Sequence, residues 1–218
     1  MNVTQHKKYN KYNNKIETMT LSAGNVTRMV ASYSYDDIGR LVSIKRSGNV
    51  LRGYDFAYDG LNRLEESTYA EGAGMSQNKN RYSENILSYS PNGSIERLQR
   101  YGKKNNGTFG LIDDLMYSYN GNQIKAISDK AGSLLYDGSF DFKDGANADV
   151  EYFYDTNGAL IKDLNKDISK IEYDVLGNLK CITFSNGFKT KYIYDAAGNK
   201  LRTTHESAVT NTIAYNTN

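Results

Sequence analysis

One short pattern recurs seven times along this chain and restricts its fold more than any other feature of the sequence. Its fullest example is Tyr192-Ile193-Tyr194-Asp195-Ala196-Ala197-Gly198-Asn199-Lys200-Leu201. Aromatic side chains alternate through Tyr192 and Tyr194, a polar bend follows, and an aliphatic residue restarts the run. That order describes a strand, a turn and a second strand. Asp195 suits the entry to the turn, because its carboxylate can accept a backbone N–H two residues on. Gly198 suits the tightest point, where positive φ would strain any residue with a Cβ.

The other copies run through Tyr35-Asp36 to Gly39, Tyr58-Asp59 to Asn62, Tyr89-Ser90 to Gly93, Tyr154-Asp155 to Gly158 and Tyr173-Asp174 to Gly177. A shortened one occupies Tyr119, Asn120 and Gly121. In the second copy Asn62 takes the glycine slot, and asparagine is the next most tolerant of left-handed geometry. The motif tyrosines lie 23, 31, 30, 35, 19 and 21 residues apart. Two positions before each stands Tyr33, Phe56, Leu87, Tyr117, Tyr152, Ile171 or Tyr192, so both apolar residues share one strand face in every copy.

A unit of this size is one hairpin, which cannot bury its own apolar face, so neighbours must stack in series. The expected fold is all-β: tandem antiparallel hairpins forming a curved, spiralling sheet. The best helical candidate, Ala159 to Ile171, follows Gly158 and is rich in Asp and Asn, which weakens it. The repeat region is expected over 15–204, after a polar segment at 1–14 and before a tail or truncated repeat at 205–218. Longer polar loops are expected at 71–79, 102–110 and 138–149, and Asn186-Gly187 between alternating segments predicts a further hairpin.

Composition agrees with a β protein and narrows function. There are 19 tyrosines against 7 phenylalanines and no tryptophan, a bias toward pleated, half-buried surfaces. The net charge of +2 comes from interspersed acidic and basic residues, which implies no nucleic-acid partner. No run approaches membrane-spanning length, so no membrane insertion is expected, and residues 1–10 contain no apolar signal segment. Cys181 stands alone, which excludes an internal disulfide and a cysteine-based zinc site.

The Tyr-Asp-x-x-Gly-Asn/Arg-x-Leu pattern, in tandem from about Lys15 to Thr204, resembles the YD repeats of Rhs proteins and their teneurin relatives. The resemblance implies a long β-sheet spiralling into a hollow shell, in bacterial proteins that enclose a C-terminal toxin or are secreted or wall-associated. Its implied partners are further repeats of the same or an associated polypeptide and an enclosed toxin domain. This sequence shows neither an Asp-Pro-x-Gly type self-cleavage segment nor a variable toxic domain after the repeats. The implication is therefore a container wall, at the cell surface or secreted as part of a longer protein, and not proteolysis or toxicity by these residues.

No catalytic, cofactor-binding or metal-ligating residue is assigned. His6 and His205 have no acid or nucleophile at a motif spacing, and Cys181 reads as a small buried thiol in a strand. A twelve-residue calcium loop counted from Asp163 fails where glycine is required, at Ile168. The structural motif residues are Tyr35, Asp36, Gly39, Tyr58, Asp59, Tyr89, Gly93, Tyr119, Gly121, Tyr154, Asp155, Gly158, Tyr173, Asp174, Gly177, Tyr194, Asp195 and Gly198, the aspartates reading as turn caps. The competing reading is an adhesion or carbohydrate-binding module that presents tyrosines such as Tyr69 and Tyr101 to a glycan.

Overall fold

A computed structural model describes residues 2–79, 81–136, 138–208 and the backbone of 213–217. Every regular element among them is a β-strand. In chain order these are β1 (Val3–Tyr9), β2 (Ile16–Ala23), β3 (Val26–Tyr35), β4 (Leu41–Arg46), β5 (Arg52–Tyr58) and β6 (Leu64–Glu71). Then come β7 (Glu84–Tyr89), β8 (Ile95–Lys103), β9 (Phe109–Asn120) and β10 (Gln123–Asp129). After a strand-free segment follow β11 (Tyr152–Tyr154), β12 (Leu160–Asp163), β13 (Ile168–Tyr173), β14 (Leu179–Phe184), β15 (Lys189–Tyr194), β16 (Lys200–Glu206) and β17 (Ile213–Thr217). Each strand neighbours the next, β1 to β10 in one sheet and β11 to β17 in another. The 159–171 segment, the weak helical candidate, forms β12, a turn and the first part of β13, as the all-β expectation has it.

The chain divides into two compact units. One holds the residues up to Leu115 together with Lys130–Asp141; the other holds Met116–Asp129 and the residues from Phe142 onward.

In the first unit the strand registers sort side chains by face. Tyr33 lies opposite Ile44, Ile44 opposite Tyr54, and Tyr54 opposite Tyr69. On the alternate rows Ser34 faces Ser43, Ser43 faces Asp55, and Asp55 faces Thr68. One face is therefore aromatic and the other polar, and cross-strand pairs are the unit of stabilisation. Most of the aromatic side chains remain half-buried. Large rings cover one another edge to face, as Tyr54 and Tyr69 (5.3 Å), Tyr69 and Tyr82 (5.1 Å) and Tyr82 and Phe109 (5.4 Å) do.

Within the second unit, the outer side of β10 explains why the strand order breaks after ten. Glu151 N–H donates to Lys125 O (2.8 Å), as a paired strand would. The next donors along β10 are taken by side chains instead. Ile127 N–H goes to Glu151 Oε2 (3.0 Å), and Asp129 N–H goes to Asp144 Oδ2 (3.0 Å). Carboxylates can satisfy a strand's donors without prolonging its ladder. The sequence reading drew one continuous ladder; the structure has two sheets because the segment after β10 ends the first with acidic side chains. The strand-free stretch also starts earlier than the 138–149 expected from composition.

Candidate functional site

The motif turns share one geometry. Asp36 N–H donates to Arg40 O (3.0 Å) and Gly39 N–H to Asp36 O (2.9 Å), with Gly39 at φ 88. Asp59, Ser90, Asp155, Asp174 and Asp195 head the same pair of bonds, closed at Asn62 (φ 64), Gly93 (φ 87), Gly158 (φ 84), Gly177 (φ 81) and Gly198 (φ 83). This is a tight turn followed by one left-handed residue, a common way of closing a hairpin with a bulge. The register slips at the motif tyrosine in each of these hairpins. The shortened copy differs: β9 ends at Asn120, β10 starts at Gln123, and Gly121 sits at φ 61.

Each aspartate holds its turn from within. Asp59 Oδ1 accepts N–H groups from Leu61 and Arg63, both at 2.8 Å. Asp174 Oδ1 takes those of Leu176 and Asn178, and Asp195 Oδ1 those of Ala197 and Asn199. The second oxygen meets the side chain just after the left-handed residue: Arg40 or Arg63 Nε at 2.6 Å, Asn178 Nδ2 at 3.0 Å, Asn199 Nδ2 at 2.9 Å. Ser90 does less, accepting Ser94 N–H through Oγ at 3.1 Å.

The tyrosines link one turn to the last. Tyr58 donates its hydroxyl proton to Leu41 O (2.7 Å), Tyr154 to Ile124 O (3.1 Å) and Tyr173 to Leu160 O (2.8 Å); Tyr89 does the same to Leu64 O. Every acceptor is the aliphatic slot of the preceding copy. Where arginine precedes that slot it also reaches forward. Arg40 lies over the Tyr58 ring (4.8 Å) and donates to Asn62 Oδ1 (2.8 Å), and Arg63 lies over Tyr89 (4.3 Å). Across the first three copies, aspartate, arginine and the next tyrosine thus form a continuous chain.

An eighth turn escaped the sequence reading. Asn10 N–H donates to Lys15 O (2.7 Å), Asn10 Oδ1 accepts Tyr12 N–H (2.8 Å), and Asn14 takes φ 54. Tyr35 donates its hydroxyl to Ile16 O (3.1 Å), the aliphatic slot of this hidden copy. The available signal was Tyr9-Asn10 followed by Asn14 and Ile16, one residue longer than the pattern, with asparagine in both diagnostic places.

The turn carboxylates make stability sensitive to acid. At Asp174 and Asp195 the side-chain bonds from Asn178 and Asn199, with backbone N–H groups, hold the carboxyl below the usual range. At Asp36 and Asp59 burial pushes upward, but bonds from Arg40 and Arg63 outweigh it and the carboxyl again lies low. A depressed folded-state pKa gives stability that is complete above the unfolded value, about 3.9, and is lost as pH falls through the folded value. Urea midpoints are therefore expected to hold level from neutrality to about pH 5 and then fall, since protonation begins near the unfolded value. Replacing Asp174 and Asp195 by Asn should lower the neutral midpoint and flatten the acid limb; an unchanged acid limb would count against these turns as its source.

The remaining candidates lie apart from any shared site. His6 is exposed on β1, and His205 on β16 meets Thr190 Oγ1 through Nδ1 (3.1 Å). Cys181 is buried in β14. Asp163 and Asp167 belong to the β12–β13 turn, where Asp163 Oδ1 accepts Lys166 N–H and Asp167 sits at φ 53. Tyr69 is 5% exposed and donates its hydroxyl to Glu71 Oε1 (2.7 Å), with burial first and then Glu71 pushing its pKa to about 12. The competing reading needed Tyr69 presented to a ligand; the ring is instead enclosed between Tyr54 and Tyr82, and that part of the expectation is corrected.

These features define a tandem-hairpin β protein whose turns are chained by tyrosine and aspartate. Residues 35–73, which hold the first two full copies, match the family model for the RHS Repeat. Over those residues the chain carries RHS-repeat sequence, in line with the YD-repeat resemblance. No curated protein sequence matches it. Its fold matches the crystal structure of TcdB2-TccC3-TEV at TM-score 0.51 and 11% identity, covering 96% of this chain and 10% of that one. TcdB2-TccC3 matches at 0.50 and 11%, covering 96% and 11%, and TcdB2-TccC3 without its hypervariable C-terminal region at 0.50 and 12%, covering 96% and 10%. This chain spans about a tenth of the length of the chains it matches.

Proposed function

We propose that this chain is a wall segment of a larger Rhs-like shell, secreted or at the cell surface, that encloses or displays a domain C-terminal to the repeats. The observation that carries the reading is the set of hydroxyl-to-carbonyl bonds by which Tyr35, Tyr58, Tyr89, Tyr154 and Tyr173 each reach the turn before their own. A device that fixes one hairpin to its neighbour, repeated with no converging set of acids, bases or nucleophiles among the described residues, suits a surface valued for continuity. The fold shared with TcdB2-TccC3 supports the same reading, one of those structures being described without a hypervariable C-terminal region. On this view the partners are further repeats and the enclosed domain, and the segment itself breaks no bond.

Limited proteolysis of the natural polypeptide containing this segment tests the proposal. The region after the repeats is expected to survive protease that digests the same region expressed alone. Equal digestion rates would overturn enclosure and leave display of an open domain.

A further inference from the structure

The aromatic face of the first unit carries a groove that the turn ladder does not use. One part, about 390 Å³, is lined by residues including Tyr54, Tyr82, Tyr101, Arg100, Lys103 and Phe140. A second part, about 250 Å³, shares Tyr54 and Tyr82 and adds Arg46 and Arg52. Two hollows joined through shared rings suit an elongated ligand, and the first lies within the usual range for ligand sites of about 300–1,000 Å³.

Three features indicate the ligand's chemistry. Tyr82 is 42% exposed and Phe140 82%, so flat apolar faces are open to solvent at the groove. Among the described residues the hydroxyls of Tyr54, Tyr82 and Tyr101 make no hydrogen bond, unlike the motif hydroxyls, so they are free to donate to and accept from a polyhydroxyl ligand. The groove's charge is unbalanced. Arg46, Arg52 and Lys103 make no ion pair among the described residues, Arg100 is held by Asp113 (2.8 Å), and Glu84 is the acidic lining residue. Unpaired cations beside exposed rings favour an anion with stacking faces.

We infer that this groove binds an acidic glycan chain, its sugar rings against Tyr82 and Phe140, its hydroxyls on the tyrosine hydroxyls and its carboxylates toward Arg46, Arg52 and Lys103. A glycan meets all three features at once. A neutral sugar leaves the cations unused, and an acidic peptide leaves the bare hydroxyls and rings largely unused. The inference is independent of the wall proposal, since it concerns one face of one unit.

Calorimetric titration of the chain with hexagalacturonate is expected to show saturable binding weaker than about 1 µM, because the groove is open. Phe140→Ala should weaken it about tenfold, or about 1.4 kcal/mol, and Arg46→Gln with Arg52→Gln at least as much, with a shallower salt dependence. Phe140, Arg46 and Arg52 are exposed, so these variants keep the fold. Absence of binding to hexagalacturonate, equal binding of cellohexaose, or equal binding of poly-glutamate or oligo-deoxythymidylate would each overturn the proposal, as would full affinity in the variants. Enclosure of a downstream domain could fail without changing any of these results.

Discussion

Gly53→Ala is expected to unfold much of the first unit. Gly53 is buried in β5, opposite Lys45 on one side and Ala70 on the other. A Cβ added there would stand 1.9 Å from Ile44 O and 2.9 Å from both Ile44 C and Lys45 Cα. All three are backbone atoms of a paired strand, so relief requires β4 to move and its ladder to open. The expected loss is about 3 kcal/mol or more, at the high end for a single methyl group. Gly102→Ala is the control. Its added Cβ meets Ile112 Cδ1 at 2.6 Å, the end of a side chain that can rotate, and about 1–2 kcal/mol is expected. Urea unfolding of both variants checks the contrast; equal losses would show that β4 does not hold Ile44 as described.

The second large effect is expected at Glu151, which is 2% exposed. Its Oε2 accepts Ile127 N–H (3.0 Å) and Asn165 Nδ2 (2.7 Å), and its Oε1 accepts Ala148 N–H (3.3 Å). Removing the carboxylate by Glu151→Ala orphans two backbone donors, Ile127 N–H, which is buried, and Ala148 N–H, and takes one of two acceptors from Asn165 Nδ2, which keeps the Tyr152 hydroxyl at 3.3 Å. Each orphan costs about 1–3 kcal/mol, so a total near 3–5 kcal/mol is expected. Glu151→Gln keeps one acceptor oxygen and should lose roughly half as much. Hydrogen exchange at Ile127 is the direct readout, since its donor loses its partner. Unchanged protection of Ile127 in Glu151→Ala would mean that β10 does not end on this side chain.

How far the structure was legible follows from how local each cause is. β3 ends at Tyr35 and β15 at Tyr194 as the pattern indicates, because alternation and the bend after tyrosine are written in adjacent residues. The Asn186-Gly187 hairpin was legible as a bend, yet it closes from Phe184 to Phe188 with Gly187 at φ 85. The turn at Asn10 went unread because asparagine replaced both aspartate and glycine. Glu151 and Asp144 looked like ordinary polar residues in a loop; their role depends on lying beside β10, which no local spacing records. The groove was hidden for a related reason. Tyr69 and Tyr82 read alike in the sequence, and only the register across β5 and β6 encloses one and leaves the other at the surface.

The central claim is that the motif tyrosine binds successive copies together rather than finishing its own hairpin. Hydrogen exchange of Tyr58→Phe tests it most directly, because the substitution removes only the hydroxyl that reaches Leu41 O. A lost bond of about 1 kcal/mol predicts roughly fivefold faster exchange in both the β3–β4 and the β5–β6 hairpins. Faster exchange confined to β5–β6, with β3–β4 unchanged, would contradict it.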